Sequence, residues 1–174
     1  MHTTAYLALG TNMPHRGVAG ADLLRQAVRA LRAAGLQMRA LSGVWQTAAW
    51  PRGVNQPDYY NAVVSLDAGE LSPGALYQLL RQIEGEFGRV RRERWAARTL
   101  DLDILAMEGF VGAFGDIELP HPRLHERSFV LAPLAEIAPD WLHPGLGKSA
   151  AALLAALPAG TDYRRVDDLA TVQQ

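Results

Sequence analysis

Arg98-Thr99-Leu100-Asp101-Leu102-Asp103-Ile104 alternates polar and apolar residues with a period of two. Successive side chains of a β-strand point to opposite faces. The pattern therefore predicts a strand that turns Leu100, Leu102 and Ile104 into a core and sets Thr99, Asp101 and Asp103 on the other face. Strand geometry puts the two carboxylates about 7 Å apart. Neighbouring acids repel unless a positive group neutralises them, and a hard divalent cation such as Mg²⁺ suits carboxylate oxygens. The same alternation also describes a half-exposed antiparallel strand whose acids pair with nearby arginines. Arginines are dense just upstream, at Arg89, Arg91, Arg92, Arg94 and Arg98. Acids suited to metal beside guanidinium groups suited to phosphate oxygens are the parts of a phosphoryl-transfer site.

Outward from this strand, helices and further strands follow in a regular order. Ser72-Pro73 reads as a cap and first turn, and Leu76, Leu79, Leu80, Ile83 and Phe87 form the buried stripe of a helix that stops at Gly88. Residues 5–9 read as a first buried strand ending in a Gly10-Thr11-Asn12 turn. Leu23, Leu24, Ala27, Val28 and Leu31 recur at helical spacing over 22–34, before Gly35. Residues 38–47 predict one strand and 59–66 another, with a Pro- and Gly-broken loop from Trp50 to Pro57 between them. A small hairpin is expected over 110–119, helices over 128–137 and 149–157, and a polar tail that frays over 158–174. Strand, helix, strand, strand, helix, strand predicts an α+β fold, a ferredoxin-like sandwich. Its antiparallel sheet would carry helices on one face and leave the other for ligands, with extra helices C-terminal to it.

Composition fits one domain over 1–174, with a core spanning about residues 5–140. Apolar residues make up 49% of the chain, enough for a globular core. The net charge of −1 argues against broad nucleic-acid or membrane-surface binding. There is no cysteine, which excludes disulfides, thiolate metal sites and cysteine nucleophiles. With no basic start before an apolar run, and no stretch near the ~20 apolar residues a bilayer requires, a cytoplasmic protein without a signal peptide is expected.

Other clusters carry less decisive chemistry. Gly145-Leu146-Gly147-Lys148-Ser149 ends like a phosphate-binding loop, but Leu142 stands where the leading glycine belongs, so Ser149 reads as a helix cap. Trp50 and Gln56-Pro57-Asp58-Tyr59-Tyr60-Asn61 combine aromatic faces with an amide. That suits a flat heterocycle, although by themselves core packing for the tyrosines and a turn role for Asn61 are the more ordinary reading. Trp95 lies inside the arginine segment, and His121 sits between Pro120 and Pro122, near Arg123 and Arg127.

Taken together, Leu9-Gly10-Thr11-Asn12, Gln56-Pro57-Asp58-Tyr59-Tyr60-Asn61, Glu84 with Gly88-Arg89, Arg94-Trp95, the Arg98–Ile104 block and Pro120-His121 occur in one order. The chain from about residue 6 to 139 resembles the 2-amino-4-hydroxy-6-hydroxymethyldihydropteridine pyrophosphokinases of folate biosynthesis. The resemblance implies a monomeric enzyme that moves pyrophosphate from ATP onto hydroxymethyldihydropterin with two Mg²⁺ ions, leaving AMP. It implies that Asp101 and Asp103 hold the metals, that Arg89 and Arg98 grip phosphates, and that Arg91 and Arg92 lie on a closing loop. Glu84, Trp95, Arg98, Ile104, His121 and Arg127 become ATP-side residues. Tyr59 and Phe129 become the two sides of a pterin sandwich, and Thr47, Ala49, Trp50 and Asn61 line its pocket. Relatives usually carry Gly-Pro where this chain has Ala96-Ala97, which changes the backbone freedom of the segment before the metal strand. The rival class is a non-catalytic RNA-binding module, since such sheets also bind single strands through exposed aromatics.

Overall fold

The computed structural model describes residues 2–49, 55–88, 99–159 and 162–170. The elements run β1 (Thr4–Thr11), α1 (Gly20–Ala33), β2 (Gln37–Leu41), β3 (Gly43–Thr47), β4 (Tyr59–Asp67), α2 (Pro73–Glu86), β5 (Asp101–Met107), β6 (Gly112–Phe114), β7 (Ile117–Leu119), α3 (Ser128–Ile137), α4 (Ala150–Ala155) and β8 (Tyr163–Asp168). The main sheet has the order β5-β1-β4-β3-β8, with β2 also on β4, and its pairings are antiparallel. β6 and β7 form the small expected hairpin.

Local signals explain the helices. Ser72 Oγ accepts from Ala75 N–H at 3.2 Å and Pro73 opens α2; Ser149 Oγ accepts from Ala152 N–H at 3.1 Å, so it caps α4 as its sequence suggested. Alternation is also kept. Leu7 and Leu9 on β1, Ala62, Val64 and Leu66 on β4, and Leu100, Leu102 and Ile104 share one core with α1 and α2. Fully burying each such leucine is worth about 1.5–3 kcal/mol. Leu79, expected in the buried stripe of α2, packs against this core only partly covered.

Four expectations are corrected. Residues 38–47 are two strands, because Ser42 interrupts the edge. Its hydroxyl accepts from Val63 N–H at 2.9 Å and donates to Gly43 O at 2.7 Å, so a side chain takes a ladder position. The turn assigned to Gly10-Thr11 is strand: Gly10 pairs with Asn61 and Thr11 with Tyr60. The tail is not wholly frayed. β8 pairs with β3 over Gly43–Thr47, and Glu136 of α3 secures the junction, accepting from Gly43 N–H at 2.9 Å, Trp45 Nε1–H at 3.0 Å and Arg165 at 3.1 Å. Finally, helices cover both faces. Val130, Leu131 and Leu134 of α3 and Leu153 of α4 form a second core with Val63 and Leu105. Among the described residues, Gly10, Asp101, Asp103 and Tyr59 of the sheet stay part-exposed.

Candidate active site

Three adjacent strands build the site. On β1, Gly10 stands opposite Asp101 of β5 on one side and Asn61 of β4 on the other. A Cβ on Gly10 would lie 3.0 Å from Asn61 Oδ1 and 4.0 Å from Asp101 Cβ. Glycine is needed here for space and not for a left-handed backbone, and it keeps the floor between acid and amide flat. Asp103 pairs with Ala8 on the same floor.

Asp101 and Asp103 are half-buried while Leu100, Leu102 and Ile104 are buried, as the alternation required. Both acids have interaction partners in the fold. Thr99, two residues before Asp101, holds a buried Oγ1 that lacks a hydrogen-bond partner. Two carboxylates on one strand face fit a hard cation that keeps water and substrate oxygens as its remaining ligands. Among the described residues no group of three or more His, Cys, Asp or Glu forms a ready-made metal cage.

On β4, Asn61 is 8% exposed and donates from Nδ2 to Thr47 Oγ1 at 3.2 Å. Asn61 lies within a strand, so the turn role is excluded. Thr47 stands opposite Tyr59 in register. Tyr59, Asn61 and Val63 share a face by alternation, and α3 packs on Val63. The strand carrying Tyr59 and the helix carrying Phe129 therefore flank the same side of the sheet. Phe129 is part-buried, with the Arg127 guanidinium 5.6 Å from its ring centre. Ala49 is part-buried beyond the end of β3.

His121 approaches from the loop after β7. Its backbone N–H donates to Leu105 O at 2.7 Å, and its Nδ1 accepts from Arg123 N–H at 3.2 Å. With Nδ1 accepting, the neutral ring carries its proton on Nε2. Burial and the Arg127 charge, with a smaller push from Arg123, hold its pKa down to about 4 against the pull of Asp101. His121 is thus a neutral donor at pH 7.

Glu84 and Ile104 are placed differently from a simple ligand-facing role. Glu84 is 2% exposed; its Oε1 accepts from Leu102 N–H at 2.8 Å and its Oε2 pairs with Arg81 at 3.0 Å. The Ile104 side chain lies in the first core, so only its backbone is available to a ligand. Trp50, Arg89, Arg91, Arg92, Arg94, Trp95 and Arg98 lie outside the described residues. Sequence reasoning missed Gly10 and Arg81. An isolated glycine after an apolar strand run could have flagged a close approach, and Arg81-x-x-Glu84 has the spacing of a helical ion pair.

An antiparallel sheet with helices on both faces, carrying two acids on one strand and a buried amide two strands away, defines a mixed α/β protein with a candidate small-molecule site. The chain belongs to the 7,8-dihydro-6-hydroxymethylpterin-pyrophosphokinase (HPPK) family, which matches residues 6–139. It is 44% identical over 116 residues to the 2-amino-4-hydroxy-6-hydroxymethyldihydropteridine pyrophosphokinase of Synechocystis, covering 67% of this chain and 58% of that protein. It is 42% identical over 140 residues to the enzyme of the same name from Methylorubrum extorquens, covering 79% of this chain and 84% of that one. The Bacillus subtilis enzyme is 41% identical over 139 residues, covering 79% of each chain. Among solved structures, a wild-type Plasmodium falciparum HPPK-DHPS crystallised with pterin and p-hydroxybenzoate superposes with a TM-score of 0.69 at 14% identity. That match covers 89% of this chain and 43% of that one, so this chain spans less than half of the Plasmodium protein. At that identity the likeness concerns the fold alone.

Proposed function

We propose that this chain transfers pyrophosphate from ATP to 6-hydroxymethyl-7,8-dihydropterin, giving AMP and the pterin diphosphate in folate biosynthesis. The observation that carries the reading is the Asp101–Gly10–Asn61 row across β5, β1 and β4. Two strand spacings, about 10 Å, separate the acids suited to a phosphate-bound cation from the amide suited to a heterocycle edge. A single hydroxymethylpterin spans that gap. Two Mg²⁺ ions held by Asp101 and Asp103 would neutralise phosphate oxygens.

The chain's own residues do the rest by positioning and charge. Asn61, oriented by Thr47, reads the pterin edge, with Tyr59 and Phe129 on the ring faces and Ala49 and Trp50 at the rim. His121 donates from Nε2 to phosphate, and Arg89, Arg91, Arg92, Arg98 and Arg127 spread the developing negative charge. Trp95 and the Ile104 backbone complete the ATP side, and buried Glu84 supports it indirectly by holding Leu102 N–H and Arg81. The pterin hydroxyl attacks the β-phosphorus in line, and the bond to the α-phosphate oxygen breaks, releasing AMP. With Asp101 and Asp103 committed to metal, no general base is assigned.

The finer architecture follows the same proposal. β1-α1-β2/β3-β4-α2-β5 with the order β5-β1-β4-β3 supports a ferredoxin-like plan, to which β8, α3 and α4 are additions. We take residues 1–174 as one folding unit, monomeric and cytoplasmic; among the described residues no helix is long and apolar enough to cross a membrane. Mass spectrometry after mixing protein, MgATP and the dihydropterin tests the function. AMP with pterin diphosphate is expected; ADP with a pterin monophosphate, or no product, overturns the reading.

A further inference from the structure

Among the described residues β5 is an edge strand, paired in the main sheet with β1 alone. Its outward polar groups therefore need partners from elsewhere. At Leu102 these partners come from one turn of α2. Leu102 N–H donates to Glu84 Oε1 at 2.8 Å, and Arg81 Nη2 donates to Leu102 O. Arg81 Nη1 is also paired with Glu84 Oε2 at 3.0 Å. The guanidinium is further placed over the Tyr77 ring, 4.8 Å from its centre. One ion pair thus occupies both backbone groups of a single residue, and that residue stands between Asp101 and Asp103. In an antiparallel ladder the groups of alternate residues point the same way. With Leu102 turned outward, Asp101 and Asp103 turn their backbone groups towards Gly10 and Ala8, their register partners on β1. The clamp on the outer edge and the ladder on the inner one together fix the local twist of β5, and with it the splay of the two carboxylates.

We infer that Arg81 is a positioning residue for the metal-binding acids, acting with Glu84 through the backbone of Leu102. This rests on the reading of Asp101 and Asp103 as metal ligands. Arg81 touches neither metal nor substrate in this account. It holds the outer side of β5 at Leu102, so that the carboxylates meet a cation without first being reordered.

Arg81→Met keeps the apolar stem and removes the fork. Two quantities are read: hydrogen exchange at the Leu102 amide, and the Mg²⁺ concentration that half-saturates binding of a non-hydrolysable ATP analogue in calorimetry. We expect Leu102 exchange to quicken at least tenfold and the half-saturating Mg²⁺ to rise at least fivefold, with pterin affinity within twofold of the parent. Arg81→Met/Glu84→Gln, which leaves no unpaired buried charge, is expected to change in the same direction. If Arg81→Met does not fold, Arg81→Lys keeps the charge beside Glu84 but cannot fork to both partners, and a smaller shift of the same sign is expected. A lower melting temperature with an unchanged Mg²⁺ requirement makes the clamp merely structural and overturns the inference. If Asp101→Asn also leaves the Mg²⁺ requirement unchanged, the metal reading itself falls. If Asp101→Asn loses Mg²⁺-dependent binding while Arg81→Met does not alter it, only the positioning role falls.

Discussion

Replacing Gly10 by alanine adds one methyl group at the point where the two halves of the site meet. The new Cβ lies 3.0 Å from Asn61 Oδ1, closer than ordinary contact, so the amide must retreat by a few tenths of an ångström. Asn61 is 8% exposed and its Nδ2 is tied to Thr47 at 3.2 Å, so retreat strains or breaks that bond. Leaving a buried amide badly paired costs about 1–3 kcal/mol. Against this, alanine recovers about 0.5–1 kcal/mol of the conformational entropy that a glycine loses in a strand. The net destabilisation should be about 0–2.5 kcal/mol, or up to about 5–10 °C for a chain of this size. The Asp101 side, at 4.0 Å, is barely disturbed. The effect on catalysis should therefore be lopsided. Steady-state AMP release should show the pterin KM raised about tenfold, a loss of about 1.4 kcal/mol of binding, with the ATP KM within twofold. Asn61→Ala removes the clash, so adding Gly10→Ala to it should cost little, and the double-mutant cycle should give a coupling of at least about 1 kcal/mol. A Gly10→Ala enzyme with unchanged pterin KM, or one whose two KM values rise together, would refute the role given to the flat floor.

Asp101→Asn and Asp103→Asn should each cut AMP formation by more than a hundredfold while the circular dichroism spectrum and melting temperature stay near the parent; an active double variant would reject the metal assignment. His121 titrates near 4 in the folded chain but near 6.5 when unfolded, so the unfolded state takes up the proton first. Stability should be fully present above pH 6.5 and decline as pH falls towards 4, and this part of the decline should vanish in His121→Gln when denaturant midpoints are compared across that range. Glu136→Ala should free Gly43 N–H, Trp45 Nε1 and Arg165 together. A loss of about 1–3 kcal/mol is expected, with faster hydrogen exchange in β8 than in β1, and uniform exchange would argue against a local latch.

Periodicity and punctuation made much of the fold legible. The alternation from Leu100 to Ile104, the Ser72-Pro73 start and the leucine spacing of α1 are local patterns, and each survives in the structure because no tertiary contact opposes it. The acid pair and the Tyr59–Asn61 face were legible for the same reason. The misses have a common cause. Ser42 breaks a strand through a hydroxyl bonded to Val63, 21 residues away, and β8 exists because β3 offers it an edge that Glu136 secures. Neither partner is signalled by residues near the break or near the tail.

The sequence alone determined which residues alternate, where helices start and stop, and which chemical groups the chain carries, because those depend on bonds and neighbours only a few residues apart. Tertiary structure decided that Gly10 is a floor between an acid and an amide, that Glu84 turns to the backbone of Leu102, and that α3 and α4 pack on the second sheet face at Val63 and Leu105. These outcomes depend on which strands and helices come to lie side by side, and the cost of leaving buried polar groups unpaired and apolar surface wet settles them only once the whole chain has packed.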